Sequence, residues 1–384
     1  SVAIGSAALS YQNPSSGNVD FYNTAVGSQA GGAVTTGVQN TIMGGLAGDS
    51  LTDADFNIAI GTYALTSDTL GSRSVAIGRS ALQAQNFTTA TDTYNVAVGH
   101  EAGAAVSTGI QNTLIGGLAG DALTGNGFSG ATRTAGADFN VAVGMQALTA
   151  DTLGSRSTAM GFFALGSQNF TTTTDTFNTA VGYSAGASIT DGVQNTIMGG
   201  LCYDNLTTGD LHTAIGYNLG PSAVGVDSEI IIGSNVNGAG TGQVRIGLAG
   251  GSATLGLDGS DTSWSASSDL RLKTDVATCA VGLDFIKDLR PITFKWNAKN
   301  AIANTLPQYD ADSTTPVYGS GQIQHGFLAQ EVKTAIDAHS GLKNGFTMWR
   351  EDPDGTQQVA PAALVPMLVK AIQELEARIA TLEG

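Results

Sequence analysis

Asn57-Ile58-Ala59-Ile60-Gly61 is one copy of a short phrase that recurs along the first 250 residues of this 384-residue chain. Most copies have Asn or Ser first, Ala third and Gly last, while a variant such as Asn40-Thr41-Ile42-Met43-Gly44 has a larger apolar residue in third place. The closing glycines stand at 5, 27, 44, 61, 78, 99, 116, 144, 161, 182, 199, 216, 233 and 247, evenly spaced from 27 to 78 and again from 182 to 233. Such self-similarity predicts a repeat architecture.

Each phrase predicts a four-residue strand that is apolar on both faces, Ala on one and Val or Ile on the other. A strand this short cannot bury itself, but stacking coil on coil pairs its backbone groups, and the Gly allows a tight corner. We expect the leading Asn to cap the turn and stack as a ladder. We expect the small Ala face to admit a second chain packed about an axis. Residues 1–250 are therefore predicted to form a mainly β shaft, a β-roll or β-helix, assembled as a trimer.

These phrases resemble the head repeats of trimeric autotransporter adhesins, in which Asn-x-Ala-Ile-Gly-x-x-Ala builds a left-handed parallel β-roll. Similar rolls occur in bacteriophage tail fibres. The adhesin repeats are shorter, closer in length to the last step of this chain, from Gly233 to Gly247, so the handedness and the loop paths stay open. The Thr-rich stretches 88–93 and 171–176 are expected to project as side loops.

Composition excludes several classes of partner. The net charge is −16, and residues 1–260 hold 17 Asp or Glu against five Arg and no Lys. Such a surface repels phosphate backbones and anionic head groups, which disfavours nucleic acid and membrane partners. Cys202 and Cys279 are isolated and no Cys/His pair has metal-ligand spacing, so we predict no disulfide and no metal site, and we expect no cofactor. There is no apolar run of membrane-spanning length, and a chain that opens at Ser1 inside a repeat is expected to be an excerpt of a longer protein.

The composition changes after a predicted linker at 251–263, and every Lys and Trp lies beyond it. From 264 we predict a short helix at 283–289, a strand at 292–296, a polar loop at 299–322 and a helix after Gly326. The terminal helix, predicted at 361–383, has apolar residues at steps of 4, 3, 4 and 3, which predicts a coiled-coil seam; the alternative is a helix packed on its own domain. The seam residues are Leu368, Ile372, Leu375, Ile379 and Leu382.

Four motifs in this region resemble the endosialidase-type C-terminal intramolecular chaperones, which end phage tailspikes and fibres and occur in some membrane-bound transcription factors. The motifs are Ser268–Lys273, Leu289–Trp296, His325–Val332 and the closing helix Leu364–Leu382. The resemblance spans 264–384 and implies a small α+β domain that trimerises the chain, assists folding of the β-rich part and then releases itself. It implies Ser268 as nucleophile and Lys273 as base, cutting the Ser267–Ser268 bond.

The chemistry is sound for a Ser–Lys pair, because Lys can activate a Ser hydroxyl once it has lost its own proton. Lowering a Lys pKa by ~3 units costs roughly 4 kcal/mol, which assembled trimer surfaces can supply, with Arg271 as a neighbouring cation. Lys273 can serve its own chain or a neighbour. Ser267 is an alternative nucleophile and His325 an alternative base, although an ordering role suits that His better.

The leading function is a trimeric bacteriophage tail fibre or tailspike segment of the virion, which binds a glycan or outer-membrane protein on a bacterium. Its chaperone domain is expected to be released in the host cytoplasm after assembly. A bacterial trimeric adhesin is the runner-up, although such adhesins end in a membrane-anchoring barrel. A depolymerising tailspike is a third possibility, but no paired carboxylates stand out in the repeats. Calcium is an alternative role for the acidic stretches at 53–55, 91–95 and 174–178.

Overall fold

The chain forms two compact units, Ser1–Ser268 and Asp269–Gly384, in a computed structural model. The structure describes residues 1–13, 20–125, 128–129, 132–133, 136–257, 265–266, 268–306, 308–343, 346–353 and 355–383, with backbone alone at 128–129, 132–133 and 265–266.

The first unit is built on one 16-stranded sheet within the described residues. Each closing glycine of the repeat follows one of its parallel strands or lies near the end of one, so the predicted β-solenoid is confirmed. Successive strands pair in register: Ala59 lies opposite Ile42 on one side and Ala76 on the other. The parallel strands are Val2–Ile4, Thr24–Val26, Thr41–Met43, Ile58–Ile60, Val75–Ile77, Val96–Val98, Thr113–Ile115, Val141–Val143, Thr158–Met160, Thr179–Val181, Thr196–Met198, Thr213–Tyr217, Ile230–Ser234 and Gln243–Leu248.

Short strand pairs stand beside the main sheet. Gly71–Ser72 pairs in parallel with Thr91–Asp92, and the matching pair one higher-order repeat later is Gly154–Ser155 with Thr174–Asp175. The insertion near residue 130 forms an antiparallel pair, Phe128–Ser129 with Thr132–Arg133. The Thr-rich stretches therefore contribute backbone pairing rather than projecting as loops along their whole length.

From Ala25 to Ile231, the third residue of each phrase points into the coil. Ala59, Ala76 and Ala97 are fully buried, as are the larger Ile42 and Leu114 at the same position. The Ala face therefore packs inside its own chain, and the prediction that it receives a second chain was wrong. Leu side chains of the same buried core, such as Leu65 and Leu82, occupy the interior together with the small Ala side chains.

The closing glycines form a column in which each backbone touches the next. Gly61 has φ of +129°, and a Cβ built on it would lie 2.5 Å from the carbonyl oxygen of Gly78. Gly99 repeats the arrangement against Gly116. The sequence repeats Gly at this corner because no side chain fits between two coils there.

A buried ladder of leading Asn residues runs along the coil, as predicted. Asn40 donates from Nδ2 to the carbonyl of Ala54 at 2.7 Å, and its Oδ1 accepts the backbone N–H of Asn57 at 2.9 Å. Each Asn thus satisfies one carbonyl across its own coil and one N–H of the next coil, both of which would otherwise be buried without partners.

Two buried rungs of the ladder, at Ser74 and Ser157, carry Ser in place of Asn, and a buried Gln completes each. Gln85 donates from Nε2 to Ser74 Oγ at 2.8 Å and to Asp68 Oδ2 at 2.6 Å, and accepts from Asn95 Nδ2 at 2.9 Å. Burial raises the pKa of Asp68. Gln168 makes the same contacts around Ser157 one higher-order repeat later.

His212 takes the place of Asn in the ladder. Its Nδ1 accepts the backbone N–H of Glu229 at 3.2 Å, so its Nε2 carries the proton and donates to the Val226 carbonyl at 2.6 Å. His100 is exposed beside Arg79 and Glu101.

The sheet continues past the last repeat. Gly251–Gly256 pairs antiparallel with Gln243–Leu248 and then with Ser265–Ala266. The linker predicted at 251–263 therefore begins as a strand, because alternation in Ser252–Gly256 suits an antiparallel edge although it lacks the repeat phrase.

The second unit is a small α+β domain with three α-helices in its described residues, α1 (Leu283–Asp288), α2 (Ala329–Ala338) and α3 (Val365–Glu383). Its core joins Phe285 of α1, Val332 of α2 and Met348. Short 3₁₀ turns lie at Leu270–Leu272, Lys299–Ala301 and Pro361–Leu364, and the strands are Ile292–Phe294, Gln324–Gly326, Trp349–Glu351 and Gln357–Val359. The predicted helices and the strand at 292–296 are confirmed.

Two of the sequence motifs meet in this domain. Ile292–Phe294 pairs antiparallel with Gln324–Gly326, and Arg290 forms a two-pronged ion pair with Glu331 at the start of α2. That guanidinium holds the pKa of Glu331 below its usual range.

The terminal helix α3 has one face packed against its own domain and one exposed apolar face. On one face Met367 and Ala371 are buried, and Glu374 accepts the first N–H of α1 (Leu283) at 2.9 Å. On the other face the predicted seam residues are exposed: Leu368, Ile372, Leu375, Ile379 and Leu382. The helix is therefore packed on its own domain and still presents an apolar seam, so the two alternatives are not exclusive.

Candidate functional site

The predicted cleavage junction lies at the boundary between the compact units. Ser268 is the last residue of the first unit, and Asp269 is the first of the second. The strand Ser265–Ala266 ends just before it. Ser267, on the other side of the predicted scissile bond, lies outside the described residues.

A single 3₁₀ turn, Leu270–Leu272, separates Ser268 from Lys273. Asp269 caps the turn by accepting the N–H of Arg271 at 2.8 Å, and Lys273 donates its backbone N–H to the Leu270 carbonyl at 3.1 Å. The side chains of Ser268 and Lys273 are both exposed on the single chain.

On the single chain Arg271, the cation expected beside Lys273, pairs with Asp269. Its Nε lies 3.0 Å from Asp269 Oδ1, and its Nη2 lies 2.6 Å from Oδ2. The pair holds the pKa of Asp269 below its usual range and raises that of Arg271. Because the Asp269 carboxylate offsets the guanidinium charge, Arg271 has little like-charge repulsion to offer Lys273.

The turn also presents apolar side chains that the sequence analysis passed over. Leu270 is 70% exposed and Leu272 is 73% exposed, and Val276 follows at 67%. These three side chains form an exposed apolar patch on a short segment. In the sequence, the alternation Leu270-Arg271-Leu272 inside the Ser268–Lys273 motif was the signal that could have indicated this exposed apolar surface.

The alternative base His325 and the candidate calcium ligands make contacts that give them structural roles. His325 lies in the strand Gln324–Gly326, opposite Thr293, which fits an ordering role. Of the calcium candidates, Asp55 accepts the Val38 N–H at 2.8 Å and Asp92 pairs with Arg73. Within the described ranges, no three acidic, His or Cys side chains are grouped as metal ligands.

None of the helices in the described part of the chain combines the length and the hydropathy of a bilayer-spanning segment.

Residues 268–341 match the family model described as chaperone of endosialidase, a family of self-cleaving chaperone domains of serine-peptidase type. No curated protein and no solved structure matches the chain. The match begins at Ser268, the residue at which the first compact unit ends. A β-solenoid followed by such a region has the organisation of a fibre- or tailspike-like protein with a C-terminal chaperone.

Proposed function

We propose that the protein is part of a homotrimeric bacteriophage tail fibre or tailspike that binds a bacterial surface. Its C-terminal domain brings three chains together, assists folding of the solenoid and is then released by a cut between Ser267 and Ser268. The fibre part belongs to the virion, and the released domain stays in the host cytoplasm.

The observation that carries the proposal is an apolar column on the outer face of the sheet, which we call the outer stripe. It consists of the residue before each closing glycine. Eight of its members are between 39% and 59% exposed on the single chain. The stripe is Ile4, Val26, Met43, Ile60, Ile77, Val98, Ile115, Val143, Met160, Val181, Met198, Ile215, Ile232 and Ile246.

Association of identical chains explains why this column is apolar. Its members span 13 rung steps of about 4.8 Å, roughly 60 Å in all, which is far longer than an apolar patch on a soluble monomer. A second and third copy offer the same periodicity, so like rungs meet along the whole length. This makes a partner of the same sequence the natural cover.

The seam on α3 supports association in the second unit, where Leu270 and Leu272 add further exposed apolar surface. In heptad terms Ile372 and Ile379 occupy a positions and the three Leu residues occupy d positions, an order that suits two strands in isolated zippers. The number three therefore rests on the resemblance of the repeats to trimeric adhesin heads and of residues 264–384 to the endosialidase-type chaperones rather than on this helix.

The cleavage proposal has a defined course. Ser268 Oγ attacks the carbonyl carbon of Ser267 through a five-membered ring, while the neutral amine of Lys273, from the same or a neighbouring chain, takes the hydroxyl proton. The C–N bond then breaks, and the Ser268 nitrogen receives that proton. Water hydrolyses the resulting ester, leaving a carboxyl group on Ser267 and a free amine and hydroxyl on Ser268.

Assembly supplies the activation in this scheme. Ser268 and Lys273 are exposed on the single chain. If neighbouring chains cover Leu270 and Leu272, water is excluded around Ser268 and Lys273. Desolvation then favours the neutral Lys273 amine that the reaction needs. Cleavage would then follow correct assembly.

A charged seam tests this order of events. We expect Ile372→Asp with Leu375→Asp to prevent trimer formation and, with it, solenoid folding and cleavage, because two carboxylates per chain would be desolvated in the seam. Sedimentation and a denaturing gel of freshly expressed protein measure both. The matched control, Gln373→Asp with Ala377→Asp, adds the same charges on exposed positions outside the seam and should behave as the parent. Normal trimers and normal cleavage in the seam variant would contradict the proposal.

A further inference from the structure

A second exposed column runs along the corner of the coil, formed by the residue before each leading Asn or Ser. In-register pairing puts its members on successive rungs. Unlike the outer stripe it mixes aromatic, Arg and Gln side chains. In chain order it reads Tyr22, Gln39, Phe56, Arg73, Tyr94, Gln111, Phe139, Arg156, Phe177 and Gln194.

Three consecutive members form a cluster in which Arg73 lies between two rings. Its guanidinium carbon is 4.7 Å from the ring centre of Phe56 and 6.0 Å from that of Tyr94. Its Nε lies 3.0 Å from Asp92 Oδ1, although the N–H does not point along that contact. The Arg is thereby held in place while Phe56 and Tyr94 remain 40% and 51% exposed.

The chain builds this cluster twice. Arg156 lies 5.0 Å from the ring centre of Phe139 and 5.9 Å from that of Phe177, and it pairs with Asp175. Every member is offset from its counterpart by the same interval along the chain, as in 73 to 156 and 92 to 175. The two copies are four rungs apart, about 19 Å along the same corner.

The coil does not need the aromatic and Arg side chains of these clusters for its stability. The corner backbone is already paired, since Arg73 donates its N–H to the Asp55 carbonyl and Phe56 donates to that of Val38. Other rungs make the same corner with Gln39 or Gln111. Singly exposed rings are ordinary, but two identical aromatic–Arg–aromatic clusters at a fixed interval indicate a ligand.

The chemistry of the column fits a sugar polymer. A ring buries the apolar C–H face of a sugar, while the Arg, Asp and Gln groups around it offer donors and acceptors for hydroxyl groups. A polymer of repeating units matches a site that repeats along the shaft, because several units can bind at once. The acidic, Lys-free shaft disfavours a strongly anionic polymer.

We propose that the Phe56–Arg73–Tyr94 and Phe139–Arg156–Phe177 clusters are paired binding sites for an uncharged bacterial surface polysaccharide. The inference rests on the proposed fibre function and gives it a site. Two sites per chain multiply in an assembled fibre, so weak single contacts yield firm attachment.

The test uses the full chain on an array of purified neutral O-antigen and anionic capsule polysaccharides. The parent is expected to bind one or more neutral polymers. Phe56→Ala with Phe139→Ala should weaken that binding by about tenfold or more, since each ring is a central anchor. Either single variant should fall between. Phe56→Tyr with Phe139→Tyr keeps the rings and should bind as the parent, and Tyr11→Ala, an exposed ring outside the column, is the surface control.

The outcomes separate this inference from the fibre function. Unchanged binding by the double Ala variant, binding to anionic polymers alone, or no binding by a correctly assembled parent overturns the site and leaves the assembly proposal standing. If the double Ala variant loses its oligomeric state in sedimentation, the rings are contacts between chains and the site is also overturned. A parent that does not assemble contradicts the fibre function itself.

Discussion

Ser268→Ala is expected to leave the chain uncut at the junction. The substitution removes the only oxygen that can attack in the proposed scheme, and loss of a catalytic nucleophile slows such reactions by at least about 10⁴-fold. On a denaturing gel the parent should give two fragments, ending at Ser267 and starting at Ser268, while the variant runs as one band of 38.8 kDa. Intact mass measurement identifies the cut bond.

The neighbouring serine supplies the matched control. Ser267→Ala makes the same replacement one position earlier and keeps the attacked carbonyl group. The Ser267→Ala chain should therefore be cut at nearly the parent rate. Lys273→Met should resemble Ser268→Ala because the hydroxyl loses its base. A Ser268→Ala chain that is cut as fast as the parent, or a Ser267→Ala chain that is not cut, would refute the assignment.

Gly61→Ala is expected to prevent the solenoid from forming. The added Cβ would lie 2.5 Å from the Gly78 carbonyl oxygen and 2.6 Å from its carbon, both backbone atoms held by in-register pairing, and φ of +129° disfavours Ala in any case. Since neither coil can yield without breaking its own pairing, the loss should exceed about 4 kcal/mol of stability. Recovery of soluble protein and thermal unfolding followed by circular dichroism measure it.

Gly45 provides the comparison for this change. It lies in the neighbouring coil, one residue after the glycine column, and a Cβ built on it has no atom within 4 Å. Gly45→Ala should therefore fold and melt like the parent. If Gly61→Ala and Gly45→Ala melt together with the parent, the glycine column does not set the spacing of the coils.

The repeat was readable from sequence because its physical causes are local. A Gly forced by backbone contact and an Asn forced by buried N–H and carbonyl groups recur wherever the coil turns, so the period and the ladder were both predictable. The direction of the faces was not. Alternation in Asn57–Gly61 places Ala59 opposite Ile58 and Ile60 but does not say which side faces inward.

That direction depends on packing from elsewhere in the coil. Leu65 and Leu82 fill the interior, so only a small residue fits at Ala59 and the larger Ile side chains turn outward. Likewise, the pairing of Asp269 with Arg271 requires the 3₁₀ turn that brings them together. From the sequence alone Arg271 counts as an unpaired positive charge. In the folded turn the Asp269 carboxylate offsets most of that charge.

The corner clusters escaped sequence analysis for a related reason. Phe56, Arg73 and Tyr94 lie far apart in the chain, each before a different phrase, and share no local motif. Their positions correspond only when the phrases are aligned on their closing glycines and the same position is compared from one coil to the next. The signal was therefore available in the repeat alignment, in the residue before each leading Asn or Ser.

The mass of the assembled Ser268→Ala protein in solution tests the central claim most directly, because this variant keeps the chain intact. Sedimentation equilibrium should give three times 38.8 kDa, about 116 kDa, with the circular dichroism of a folded β-rich protein. A folded species of 38.8 kDa would show that the outer stripe and the α3 seam need no partner, and a stable dimer would contradict the number three.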